Sequence, residues 1–306
     1  MDGILIIDKP AGLTSHDVVA RVRRTLKTKR VGHTGTLDPF ATGVMVILVG
    51  RATRLAQFLD KDEKEYDAVV EFGSETDTGD CTGVRSADCG LRNEEIASIV
   101  DSTNWDETFS DFRGEIEQIP PMYSAKKVGG KKLYEHARRG QVIERESVQL
   151  VIKQLDLLRA KNPVAVSPGS DTSIRISVVC SAGTYIRQLA EDIGRKIGVG
   201  AHLTGLRRTR AGRFSLDDAV TLDQLENADD PANCLMPMEL AVEHLQSITL
   251  AADRVEKTRN GLSTRIADGD FAHNMPIRMI DETGGLVAVG TFDRTGNAVI
   301  PKVVLL

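Results

Sequence analysis

Residues 32–43 constrain this chain more than any other stretch. They read Gly-His-Thr-Gly-Thr-Leu-Asp-Pro-Phe-Ala-Thr-Gly, and the apolar run 44–49 follows at once. Pro39 pushes Asp38 out of helical geometry toward extended backbone. Gly32, Gly35 and Gly43 permit tight turns and close approach by a neighbouring strand. The run behind them is long enough for a buried strand. One carboxylate, Asp38, therefore sits on a constrained loop beside a rigid element, where sites are commonly built. The same residues admit a plainer reading, because Asp-Pro pairs also initiate turns.

The rest of the chain sets the frame. At 306 residues it can hold one large and one small domain, and 41% hydrophobic residues favour a packed globule over disorder. Cys81, Cys89, Cys180 and Cys234 have no paired short spacing, so neither a zinc site nor a disulfide framework is expected. Reduced thiols fit a cytoplasmic protein. The apolar run 4–7 is too short for a signal peptide, and no stretch approaches a membrane span. The net charge of −5 is unevenly spread. Residues 214–253 hold nine acids and no Lys or Arg, leaving the remainder slightly basic. Basic residues cluster as Arg21, Arg23, Arg24, Lys27, Lys29 and Arg30; as Lys126, Lys127, Lys131, Lys132, Arg138 and Arg139; and as Arg207, Arg208, Arg210 and Arg213. Each cluster suits a phosphate backbone or, equally, a solvated face.

Periodicity predicts a helix over 16–27 with Ser15 as its N-cap, then strands at 44–49 and 66–72. Thr76 to Gly83 reads as a polar turn, and its Asp77 and Asp80 lack a full calcium-loop pattern. Helices are expected at 93–101 and 131–139, and strands at 147–158 and 174–180. The Pro/Gly/Ser-rich stretch 163–173 reads as a loop. Ile186, Leu189, Ala190, Ile193 and Ile197 mark one apolar helix face, stopped by Gly198. Strands and helices interleave without repetition, which predicts an α+β domain with a mixed or antiparallel sheet. Beyond a change of texture near 244–250, short β-like runs at 277–281, 286–292 and 298–305 predict a small β-rich module. The expected division is a catalytic domain over 1–245, with a basic insertion at 124–143, and the β-rich module over 246–306.

Four segments in order carry a resemblance: 3–15, 32–43, Ile119-Pro120-Pro121-Met122-Tyr123-Ser124-Ala125 and Gly183-Thr184-Tyr185-Ile186-Arg187. Together they resemble the bacterial tRNA pseudouridine-55 synthases, strongly over 3–213 and weakly beyond. The resemblance implies a pseudouridine synthase domain followed by a PUA-like RNA-binding module. It implies isomerisation of the uridine at T-loop position 55 of tRNA, with no cofactor, no metal, no membrane and no obligate protein partner, by a monomer.

The reaction breaks the bond between uracil N1 and ribose C1′, turns the base and joins C5 to C1′. No water is activated, so the two-carboxylate pair of glycoside hydrolysis is not needed in full. The resemblance assigns Asp38 to C1′ and Arg187 to Asp38 as its ion pair. It assigns Tyr66 and Tyr185 to the base, His33 to the space a flipped uridine vacates, and Leu206 to the target nucleotide. Lys9 and Lys64 match family positions as structural or phosphate contacts. By residue type alone, Arg187 is a helix-surface arginine, Tyr66 and Leu206 are core, and His33 is a loop histidine. Rival readings are a tRNA-folding chaperone and a guide-RNA-dependent rRNA pseudouridylase subunit. A glycosidase would need a second carboxylate, for which Asp60, Asp62 and Glu63 are poor candidates.

Overall fold

Strand β1 (Gly3–Lys9) and helix α1 (Ser15–Thr25) open the chain, and β2 (Val31–Thr34) and β3 (Thr42–Val49) flank the Asp38 loop. The computed structural model describes residues 1–124, 126–158, 171–266 and 271–305. Thr14, not Ser15, caps α1, in a capping box with Asp17. Ser15 is turned inward and its hydroxyl is used elsewhere. Val18, Val19 and Val22 bury the apolar face of α1.

A short helix, α2 (Ala56–Leu59), leads into β4 (Lys64–Phe72), and β5 (Ser74–Thr76) pairs with β6 (Arg85–Asp88) across the expected polar turn. Helices α3 (Asn93–Ser102) and α4 (Trp105–Ser110) precede β7 (Gly114–Gln118). The basic insertion forms a minimal hairpin, β8 (Lys127–Val128) and β9 (Lys131–Lys132), and helix α5 (Leu133–Ala137). Ala125 of the third motif, and residues 163–170 of the predicted loop, lie outside the described residues. Next come β10 (Val148–Leu157), β11 (Ser173–Cys180) and helix α6 (Ile186–Ile197), which ends at Gly198 in the left-handed conformation, φ +84°.

Residues 201–211, in which the sequence suggests only the charge cluster that begins at Arg207, form the eleven-residue strand β12 (Ala201–Ala211). It lies mid-sheet, parallel to β3 and antiparallel to β4. With β13 (Phe214–Ser215) and β14 (Val220–Thr221) the sheet has ten strands, ordered β14-β1-β3-β12-β4-β11-β10-β7, with β2 on β3 and β13 on β12. The expected mixed, largely antiparallel α+β sheet is present.

Alternation along β1 and β3 explains the layering. Leu5, Ile7, Met45, Ile47 and Val49 pack under α1 and helix α7 (Leu222–Glu226). Ile4, Ile6, Val44, Val46 and Leu48 point the other way, into a core shared with Leu286, Val289, Val303 and Leu305. The first three belong to a five-stranded sheet, β15 (Ser247–Leu250), β16 (Thr264–Arg265), β17 (Pro276–Asp281), β18 (Leu286–Asp293) and β19 (Ala298–Val304), braced by helix α8 (Ala252–Arg259), and Leu305 directly follows β19. The β-rich module thus caps one face of the large sheet, and Arg278 Nε donates to Leu245 O at 2.9 Å where the two meet. No described helix is long and apolar enough to cross a membrane.

Gly43 shows how tightly β3 and β12 are joined. Its φ is +103°, and an added Cβ would stand 2.2 Å from the Arg208 carbonyl oxygen. Gly43→Ala therefore combines backbone strain with a backbone clash and is expected to cost at least ~3 kcal/mol. Urea unfolding measures this; a loss under ~1 kcal/mol would mean the two strands separate freely.

Candidate active site

The loop between β2 and β3 is fixed from both sides of Asp38. The Ser15 hydroxyl donates to Leu37 O at 3.1 Å and accepts from Leu37 N at 3.0 Å. On the far side, Pro39 O accepts from Gly12 N at 2.7 Å and from Lys9 Nζ at 3.2 Å. Lys9 is fully buried and spends its other donors on Pro10 O and Leu13 O, at 2.9 and 2.7 Å. Three carbonyls thus occupy the three N–H groups of the ammonium. Lys9 acts as a structural clasp on the loop. Burial pulls its pKa down to about 8, against the attraction of Asp38.

Asp38 meets Arg187 in a side-on pair, Nε to Oδ2 at 2.9 Å and Nη2 to Oδ1 at 3.3 Å. Arg187 begins α6 and is 5% exposed. Its remaining donors reach Thr78 O at 2.5 Å and Tyr123 O at 2.8 Å, and Nη1 lies 3.6 Å from Asp80 Oδ2. Three chain segments therefore converge on one guanidinium. Asp38 keeps 34% of its side-chain surface open. Burial raises its carboxyl above the ordinary range; Arg187 opposes the rise and Asp80 adds to it.

That open surface faces a recess of ≈ 260 Å³. This is slightly below the ~300–1,000 Å³ of ordinary ligand clefts, a size for one nucleoside and not a duplex. Its floor is a tile of sheet: Lys64 and Tyr66 on β4, Leu206 and Arg208 on β12, with Arg208 in register with Tyr66. Tyr185, the N-cap of α6, forms a wall. Buried Gln118 holds it by the backbone, donating to Tyr185 O at 3.2 Å and accepting from Tyr185 N at 3.0 Å. Burial raises the Tyr66 phenol, with the neighbouring Arg208 pulling against it.

The chain that builds this recess matches known proteins. Residues 23–186 match the TruB family pseudouridylate synthase N-terminal domain, and residues 187–243 match the tRNA pseudouridylate synthase B C-terminal domain. The chain belongs to the TruB family. The tRNA pseudouridine synthase B of Geobacillus kaustophilus is 44% identical over 273 residues, spanning 87% of this chain and 92% of the relative. That of Bordetella avium is 47% identical over 238 residues, 78% of this chain and 92% of the relative. Among solved structures, a chain of a Cbf5-Nop10-Gar1 complex superposes with a TM-score of 0.72 at 26% identity, covering 99% of this chain and 85% of that one.

The TruB-family fold brings Asp38, Arg187, Tyr66, Tyr185 and Leu206 to one recess. His33 does not line it. It lies on β2, edge-on to His16 with ring centroids 5.7 Å apart, its Nε2 3.5 Å from Thr36 Oγ1. Asp60 lines the same recess as Asp38, but Asp62 and Glu63 do not. Sequence reasoning left Asp80 and Gln118 without roles, and only the fold pairs them with Arg187 and Tyr185.

The third basic cluster needs correction. Arg207 pairs with Asp8 at 2.7 Å, Arg210 with Glu65 at 3.1 Å, and Arg213 with Glu243, while Arg208 is buried in the recess floor. The strand pairing of β12, with its register shift between Arg208 and Arg210, and the long-range acidic partners decide where these arginines go. The first cluster is partly spent as well: Arg21 pairs with Glu226 at 2.6 Å, so the acidic stretch neutralises it. Arg24, Lys27 and Lys29 remain exposed.

A carboxyl-selective NMR titration tests the Asp38 environment directly. Its midpoint is expected above the ~3.9 of an unperturbed aspartate, and higher still in Arg187→Gln. A midpoint at or below the ordinary value would contradict the buried geometry.

Proposed function

We propose that this chain isomerises uridine to pseudouridine at T-loop position 55 of tRNA. One observation carries the reading: the Asp38–Arg187 pair opens onto a recess floored by Tyr66 and Leu206 and walled by Tyr185. A base inside a stacked loop cannot enter so enclosed a site, so the uridine must flip out, at a cost of a few kcal/mol. The aromatic surfaces receive the base, and Asp38 faces C1′ as nucleophile or as stabiliser of positive charge on the sugar. Arg187 keeps the carboxylate ionised and aimed, against the desolvation that favours its protonation. His33, beside the recess, fills the space the flipped nucleotide leaves. The 44% identity to a named tRNA pseudouridine synthase B supports tRNA as the substrate.

The chain divides into a catalytic domain over 1–245 and a PUA-like RNA-binding module over 246–306, and acts in the cytoplasm as a monomer. Basic residues of α1 and the 124–143 insertion follow the tRNA backbone. The likeness to a chain of a Cbf5-Nop10-Gar1 complex keeps one second reading in view, a subunit that acts only with partners. Turnover of bare tRNA by the purified chain excludes it.

Release of tritium from C5-labelled uridine in tRNA is the decisive assay. Wild type releases it, whereas Asp38→Asn is expected to abolish release and leave tRNA affinity within about threefold; activity in that variant would refute the role of Asp38. Because the ionised carboxylate is required and its pKa is raised, the rate falls as pH drops through that raised value. The acid limb of the pH profile then lies above the range of a free aspartate. For binding, alanine at Arg24, Lys27 or Lys29 should each reduce the slope of log K against log salt by ~0.7–0.9 where a phosphate contact is lost. An unchanged slope would remove α1 from the RNA surface.

A further inference from the structure

Four cations surround the recess and its loop: Lys9, Lys64, Arg187 and Arg208, each 6% exposed or less. Of the carboxylates around them, Asp38 and Asp80 both lie against Arg187, while Asp60 also lines the recess. The other three cations rest on neutral carbonyls. Lys9 holds Pro10, Leu13 and Pro39; Lys64 donates to Asp62 O at 2.5 Å; Arg208 donates to Val44 O at 2.7 Å and Gly35 O at 2.9 Å. Among the described residues, none of the three makes an ion pair within 4.0 Å. A buried cation without an anion is left with an uncompensated cost of desolvation. Burial holds the Lys64 ammonium below its ordinary value; Asp62 offsets this in part and Arg208 adds to it. Lys9 is walled off behind the loop, but Lys64 and Arg208 lie in the recess floor, both close to Gly35.

The proposed reaction creates an anion at this place. When N1 separates from C1′, both bonding electrons stay with the ring, and the negative charge spreads over N1 and the two carbonyl oxygens. C1′ is meanwhile taken by the Asp38 carboxylate or relieved by loss of the C2′ proton. C5 then gives an electron pair to C1′ while the Asp38–C1′ bond breaks or, on the other route, while a proton returns to C2′; the proton on C5 leaves, and N1 regains a proton. The books balance without a cofactor. Between cleavage and rejoining the base is a detached anion, and a fixed positive charge aimed at it stabilises that state selectively.

Resting on the reaction proposed above, we infer that Lys64 and Arg208 stabilise the detached uracil anion, turning the unpaired charge of the recess floor to catalytic use. Removing one preorganised charge of this kind lowers the rate by about 10²-fold. The test is single-turnover kinetics on tRNA carrying uridine or 5-fluorouridine at the target, read by nucleoside composition, since the fluorinated base has no C5 proton to release. Its fluorine makes the departing anion intrinsically more stable. Lys64→Met should slow conversion of uridine about 100-fold, change tRNA affinity less than about threefold, and recover at least about fivefold with 5-fluorouridine. Lys64→Arg, which keeps the charge, should restore most of the rate, and Arg208→Met should follow Lys64→Met. Should either methionine variant fail to fold, the same comparison is made with Lys64→Gln. Equal losses on both bases, or a loss confined to affinity as a phosphate contact would give, overturns the inference. Failure of the wild-type protein to convert uridine at all would instead sink the proposed function.

Discussion

The position of Asp38 depends on hydrogen bonds made by its neighbours. Ser15 grips the backbone of Leu37, and Lys9 with Gly12 grips the carbonyl of Pro39. The amino-terminal segment is thus a splint laid across the loop. It acts through main-chain groups, so the carboxylate itself stays free for Arg187 and for the recess. A loop with glycines at 32, 35 and 43 would otherwise be among the softest parts of the chain.

Arg187 ties this loop to the rest of the molecule. Its guanidinium takes contacts from the 76–83 turn, the 119–124 segment and Asp38 together. The basic insertion starts directly after Tyr123, whose carbonyl Arg187 holds, and Ser124 O accepts from Tyr134 N at 3.1 Å. The surface expected to meet RNA and the carboxylate expected to do chemistry are therefore linked through one side chain. Electrostatics sharpens the dependence, because burial raises the Asp38 carboxyl and Arg187 opposes that rise.

Much of this was legible from residue order. The helix stop at Gly198, the apolar face of α6 and the strands at β3, β4, β10, β11, β17, β18 and β19 follow from periodicity and turn chemistry. Asp38, Arg187, Tyr66, Tyr185 and Leu206 could be named because their motifs resemble a family, and the fold gathers them. β12 was missed because Arg207, Arg208 and Arg210 look like a solvated charge run, and partners 140 to 200 residues away absorb them. Asp8, Glu65 and Val44 leave no local mark that they will receive an arginine. Ser15 misled for a related reason: a hydroxyl before a helix signals a cap, and nothing nearby reveals that Leu37 competes for it. Gln118 and Asp80 act only through the long-range packing that brings α6 against them.

The shared core beneath β1 and β3 has a consequence for how the two sheets work together. Ile4, Ile6, Val44 and Leu48 share one core with Leu286, Val289 and Val303 of the terminal module and with Ala241 and Val242 of the segment that leads into it. Neither sheet can pivot without opening that packing. The span between the recess and the outer surface of the module is therefore a fixed gauge. A molecule that touches both is measured by its own dimensions, and one of the wrong length has no hinge to accommodate it.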